Sequence, residues 1–184
     1  VWRVERGSFE AIKEKERPMT ARARKLGRVT ILALAVGVAL GTIGCGPRAG
    51  RYNVTVSLAP SLRGSSLDVD LVGVGEANLA DWSGKDLREY FSGNDAFRTS
   101  QQDMRYTMEF NPSSAGAKTL ARQDPIWKTW QNVGYDSLYI LADVPGTPQR
   151  LVLPMFTDRW SGSTIKVEVR EGSIVPLTPM KPSK

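Results

Sequence analysis

Histidine is absent from this 184-residue chain, and cysteine occurs once, at Cys45. These gaps remove the usual His/Cys metal-ligand sets, the Ser-His and Cys-His nucleophile pairs, and any internal disulfide. A Walker-type phosphate loop is also missing. The one glycine pair that suggests a dinucleotide turn, Gly73 and Gly75 around Val74, has no third glycine or helix start at the required spacing and reads as a strand exit. There is no fixed-period repeat and no low-complexity tract. No catalytic, cofactor-binding or metal-ligating residue is therefore assigned, and no enzyme is expected.

A long apolar run is lacking too. Val29 to Gly44 is uncharged and mostly apolar, but short of the roughly 20 residues that cross a bilayer core. Ahead of it, Met19 to Arg28 carries Arg22, Arg24, Lys25 and Arg28 and no acid. Basic then apolar is the order of a cleaved secretory signal, here residues 19–44. Residues 1–18 do not fit that pattern, because Glu5, Glu10, Glu14 and Glu16 add acid where signals stay basic. The opening Val and the purine-rich codons implied by Lys13 to Glu16, just ahead of Met19, suggest a mis-assigned start, with residues 1–18 untranslated.

The leader also holds most of the charge. The chain is +6, but residues 1–44 contain nine basic and four acidic groups, which leaves sixteen basic and fifteen acidic on residues 45–184. A net +1 gives no electrostatic footprint for nucleic acid.

Gly41, Thr42, Ile43, Gly44 and Cys45 close the apolar run and resemble the lipobox of bacterial lipoproteins, with Thr42 standing where Leu is usual. The resemblance implies lipidation of Cys45, cleavage before it, and acylation of the new amine. Several acyl chains, each buried CH₂ contributing about 0.8 kcal/mol, anchor a protein firmly where one binds only marginally. The expected partner is therefore a membrane, reached through the lipid. Gly46 stands where an inner-membrane retention signal places Asp. In a cell with two membranes the resemblance therefore implies the outer one, with the domain facing the periplasm.

Residues 45–50 read as a short tether, 51–177 as the folded domain and 178–184 as a loose tail. Period-two alternation predicts strands at Val54 to Leu58, Leu67 to Leu71 and Met104 to Phe110. Further strands are expected at Ala117 to Ala121, Ser137 to Ala142, Leu151 to Phe156, Thr164 to Arg170 and Ile174 to Leu177. Pro60 to Ser66 and Pro145 to Pro148 are turns, and the first two strands are expected to form a hairpin. Asp86 to Phe91 suggests one or two helical turns, and Asp124-Pro125 opens a helix of about ten residues that stops at Gly134. Pro154 and Pro176 belong on edges or bulges. The fold class is mainly β, an antiparallel β-sandwich with one or two short helical insertions.

Some residues carry two readings. Asp68 and Asp70 share one strand face, which suits a calcium site or a glycosidase pair, or simply a solvated face. Trp127 and Trp130, at helical spacing, either pack as core or, with Trp82 and Trp160, stack on sugars. Asp158, Arg159 and Trp160 form either a partner-contacting loop or a turn anchored by a buried indole.

The order of elements, with a lipobox Cys, paired strands, a helical insert and strands ending in an apolar segment, resembles the outer-membrane lipoprotein of the type VI secretion membrane complex over Tyr52 to Leu177. That family's β-sandwich holds the periplasmic part of an inner-membrane protein without catalysis. The resemblance implies a structural or adaptor role with an envelope protein partner, met by position at the loop Pro60 to Ser66. A glycan-binding lipoprotein is the alternative.

Overall fold

The computed structural model describes residues 49–182. Cys45, the signal at 19–44 and the segment 1–18 lie outside the described residues. Among the described residues eight strands form two four-stranded sheets. The first, ordered β4-β1-β7-β8, contains β4 (Ala117–Leu120), β1 (Asn53–Leu58), β7 (Thr164–Arg170) and β8 (Ser173–Pro176). The second, ordered β3-β2-β5-β6, contains β3 (Arg105–Phe110), β2 (Leu67–Val74), β5 (Ser137–Ala142) and β6 (Gln149–Pro154). Their facing side chains make one core: Val54 and Val56 of β1 and Ile165 and Val167 of β7 against Val69 and Leu71 of β2 and Leu138 and Ile140 of β5.

The β-sandwich is as expected from the alternation, with four corrections. The sheets are not wholly antiparallel, because β1 and β7 pair in parallel, Asn53 opposite Thr164 through Leu58 opposite Val169. All of residues 59–163 lie between these strands, so no hairpin dictates their direction, and a parallel pair needs a long crossover of this kind. β1 and β2 form no hairpin either, since they belong to different sheets. Ala59 N–H donates to Val169 C=O at 2.9 Å, which keeps the chain on the β7 side, and Leu62 then drops into the core as the loop crosses over. Nor is the tail loose throughout: Lys166 N–H donates to Thr178 Oγ1 at 2.8 Å, Met180 bridges Trp160, and Lys181 N–H donates to Arg159 C=O at 2.9 Å. Ala49 and Gly50, assigned to the tether, already join the fold, Ala49 bridging Phe156 and Gly50 N–H donating to Met155 C=O at 2.8 Å.

Among the described residues four short α-helices complete the domain. Three, α1 (Leu79–Ser83), α2 (Leu87–Tyr90) and α3 (Ala96–Ser100), lie between β2 and β3. They cover the outer face of the second sheet, where Trp82, Tyr90 and Phe97 pack on Val72, Val74, Tyr139 and Leu141. Trp82 meets Phe97 edge-on, with centroids 4.8 Å apart. Edge-on aromatic pairs contribute about 0.5–1.5 kcal/mol beyond their buried area. The fourth, α4 (Ile126–Asn132), is shorter than expected but starts as the sequence implies, with Asp124 Oδ1 accepting from Ile126 N–H at 2.9 Å. The chain turns out of it at Gly134, just past the C-cap Val133, where a φ of +69° favours glycine. Pro154 and Pro176 sit on the edge strands β6 and β8, where a missing N–H costs no interior pairing.

Trp127 and Trp130 of α4 are fully buried in the main core. Gly73 is what admits Trp130, since a Cβ there would stand 2.4 Å from the indole Cγ, and Gly75 lies against the Gly134 carbonyl in the same way. The two glycines are a landing place for α4. Gly73→Ala is accordingly expected to lower the unfolding free energy by about 1–3 kcal/mol; urea denaturation of the Cys45→Ser chain checks this, and an unchanged midpoint contradicts it.

Candidate functional site

The paired acids of β2 do not share the solvated face that alternation implies, because Asp68 is partly exposed and Asp70 is sealed. Asp70 is 0 % exposed, in the middle of a strand covered on both faces. One of its oxygens, Oδ2, accepts from Tyr90 Oη and from Arg98 Nε, each at 3.0 Å, and lies 3.6 Å from Arg105 Nη1. The other, Oδ1, accepts from Thr107 Oγ1 at 2.6 Å. Arg98 also reaches the partly exposed Asp68, Nη2 to Oδ2 at 3.1 Å, so one guanidinium ties both carboxylates to α3. Its carbon lies 5.1 Å from the Phe91 ring centroid and 5.6 Å from that of Tyr90.

Each partner arrives by its own local logic. Tyr90 ends α2, whose N-terminus Asp86 caps by accepting from Arg88 N–H at 2.7 Å. Arg98 lies in α3, capped by Asp95, which accepts from Arg98 N–H at 2.6 Å. Thr107 and Arg105 come from β3, and Thr107 is directly opposite Asp70 in register. No local pattern announces this meeting, because the alternation that exposes the acids on paper assumes that water covers that face.

The electrostatics follow from burial. Burial, then the neighbouring Asp70 charge, pushes the Tyr90 phenol above its ordinary range. For Arg98 burial opposes the charge, but the hydrogen bond and charge of Asp70 outweigh it and raise the guanidinium further. With its oxygens occupied by Arg98, Tyr90 and Thr107, Asp70 is not free to activate water or to bind a cation. The cluster fastens the insertion to the sheet.

Trp82, Trp127, Trp130 and Trp160 are all buried, so none offers an indole face for a sugar. Trp160 Nε1 donates to Pro154 C=O at 2.7 Å, which makes the Asp158 to Trp160 segment a turn anchored by its indole. Besides a hollow of about 300 Å³ lined by Ala49, Gln131, Gly134 and Tyr135, two larger ones among the described residues are open at the surface. One of about 410 Å³ between the edges of β3 and β4 holds Glu109 and Lys118, whose Nζ donates to the Glu109 carbonyl. Another of about 420 Å³ is lined by Arg51, Arg122 and Ser163. Neither brings a nucleophile to a base. Among the described residues no helix is long and apolar enough to cross a membrane.

The sandwich has two distinct ends. At the proximal end the chain joins at Ala49, and the start of β1, the end of β2, α4 and the segments 155–163 and 177–182 gather there. The distal end holds the connections 59–66, 111–116, 143–148 and 171–172. The loop Pro60 to Ser66 is distal, with Ser61, Arg63 and Gly64 exposed and Leu62 as its buried root.

No family model and no curated protein matches the chain. Among solved structures, it is similar to the type VI secretion lipoprotein TssJ1 from Pseudomonas aeruginosa, at 15 % identity and a TM-score of 0.46, over 74 % of this chain and 99 % of that one. It is likewise similar to Serratia marcescens Lip, a membrane-bound component of the type VI secretion system, at 12 % identity and 0.43, over 72 % and 99 % of the two chains. A chain of a type VI membrane complex matches at 12 % identity and 0.44, over 71 % of this chain and 99 % of that chain. These are structures of the secretion system whose lipoprotein the sequence layout resembles.

Two outcomes test the cluster. Asp70→Asn removes the buried charge that Arg98 and Arg105 share and is expected to cost about 3–5 kcal/mol, while Asp68→Asn, at a partly exposed pair, costs less than about 1 kcal/mol; equal losses in urea denaturation would refute the assignment. Asp95 supplies a pH signature. Burial opposes its charge, but the Lys85 ammonium at 2.6 Å and the Arg98 N–H hold it below its ordinary value of 3.8. A carboxylate lowered on folding stabilises the fold above its unfolded value, and that contribution is lost as pH falls through the folded value. The melting temperature should therefore drop as pH goes below 3.8, and Asp95→Asn should flatten that drop; an identical pH profile for the variant contradicts the assignment.

Proposed function

We propose that this chain is a lipid-anchored structural component of a cell-envelope assembly of the type VI secretion kind. Cys45 carries the lipid, and the domain faces the periplasm from the outer membrane of a two-membrane cell. The distal loop Pro60 to Ser66 takes hold of the periplasmic part of an inner-membrane protein. No chemical step is involved.

The observation that carries this reading is the separation of the two ends. The chain joins the sandwich at Ala49, four residues after Cys45, and β1 then runs six residues to the opposite end, about 20 Å at strand rise. A domain so built is held by one end and presents the other. The cluster around Asp70 keeps the insertion rigid on the flank. The layout resemblance over Tyr52 to Leu177 supports the same assignment, as does the absence of a nucleophile and base pair from the hollows described.

The test is a mild-detergent pull-down of the full lipoprotein from its own cells, read by mass spectrometry. Stoichiometric recovery of a large inner-membrane protein is expected, with Cys45→Ser abolishing fatty-acid labelling and reducing recovery. Arg63→Glu should leave labelling intact and lose the partner. Recovery of the labelled lipoprotein alone would contradict the adaptor role.

A further inference from the structure

The two ends of the sandwich differ in kind. Among the described residues five large hydrophobic side chains are exposed: Leu79, Val133, Val152, Leu177 and Met180. Topology places four of them toward the proximal end. Leu79 opens α1 just past the end of β2, and Val133 follows α4. Leu177 N–H donates to Lys166 C=O near the start of β7, and Met180 bridges Trp160. Val152 alone lies on the flank, in β6. The distal connections expose none of these five; Ser61, Arg63, Ser113, Thr147 and Glu171 are exposed there beside the small apolar Pro60, Pro112, Ala115 and Pro145.

Reach decides what the proximal end meets. Only Gly46, Pro47 and Arg48 separate Cys45 from Ala49. Four steps at 3.3–3.6 Å each keep Ala49 within about 14 Å of the lipidated residue. A folded domain on so short a lead has its proximal end at the headgroups.

We infer that the proximal end is a membrane-contact surface, with Leu79, Val133 and Met180 dipping into the headgroup region of the leaflet that holds the Cys45 acyl chains. The inference rests on the lipid anchor proposed above and adds an orientation and a set of contacts. Exposed charge at this end is mixed: Arg51, Arg122, Lys128 and Lys181 stand with Glu76, Asp103 and Asp158. The contact is therefore apolar in its main part and persists in salt, unlike adhesion through a basic patch.

Cys45 is the sole cysteine, and lipidation consumes its thiol, so an introduced cysteine is a unique attachment point. The lipidated chain, purified in detergent and reconstituted in phosphatidylethanolamine–phosphatidylglycerol vesicles, is labelled with an environment-sensitive fluorophore. The label is placed in Leu79→Cys, Val133→Cys, Met180→Cys, Ser113→Cys or Glu171→Cys. Expected is a blue shift and quenching by headgroup-nitroxide lipid at the first three positions, unchanged at high salt, with no change at the last two. Floating vesicles that carry the protein but show no quenching at the first three positions overturn the contact while leaving the anchor intact. Quenching at Ser113 and Glu171 overturns the orientation. Loss of both flotation and fatty-acid labelling removes the anchor, and the contact with it.

Discussion

A buried carboxylate organises this domain. Asp70 stands at the centre of β2, a strand covered on both faces, and its charge is admissible there only because Arg98, Tyr90 and Thr107 converge on it. Two of these partners come from the helical insertion and one from β3, so a single side chain fixes two helices against the second sheet and ties β3 to β2 within it. The insertion could not otherwise hold, since its helices of four or five residues have no stability alone. The aromatic layer of Trp82, Tyr90 and Phe97 supplies apolar burial, and the ion cluster fixes where that layer sits.

Much of this was legible in the sequence, and the failures share one cause. Alternation located the strands because it reports a face turned to a core, and Ser137–Ala142 and Thr164–Arg170 fall where expected. Asp124-Pro125 and Gly134 framed α4 through the chemistry of helix ends. What local pattern cannot report is which surface later becomes covered. Asp68 and Asp70 look alike in sequence, yet one is partly exposed and the other is sealed by residues 76–104. The parallel pairing of β1 with β7 and the separation of β1 from β2 are likewise settled by contacts distant in sequence. Gly73 and Gly75, read as a strand exit, serve the packing of α4, and the only signal for that was the tryptophan pair some fifty residues on.

The functional reading rests on polarity along the strands. One end receives the chain at Ala49, four residues after the proposed lipidation site Cys45, and is edged with apolar side chains. The other is polar and carries a loop rooted by Leu62 with Arg63 at its tip. Between them lies a core held without disulfides, stiffened by Trp127 and Trp130 where α4 closes the proximal side. On the function proposed above, such a body would carry position from a membrane to a partner.

Site-specific photo-crosslinking in living cells tests this account most directly, with a photoreactive residue at position 63 or at position 133 of the otherwise native chain. The account predicts that position 63 captures one large inner-membrane protein and that position 133 captures phospholipid. Capture of lipid at position 63, or of the same protein from position 133 and not from 63, would contradict it.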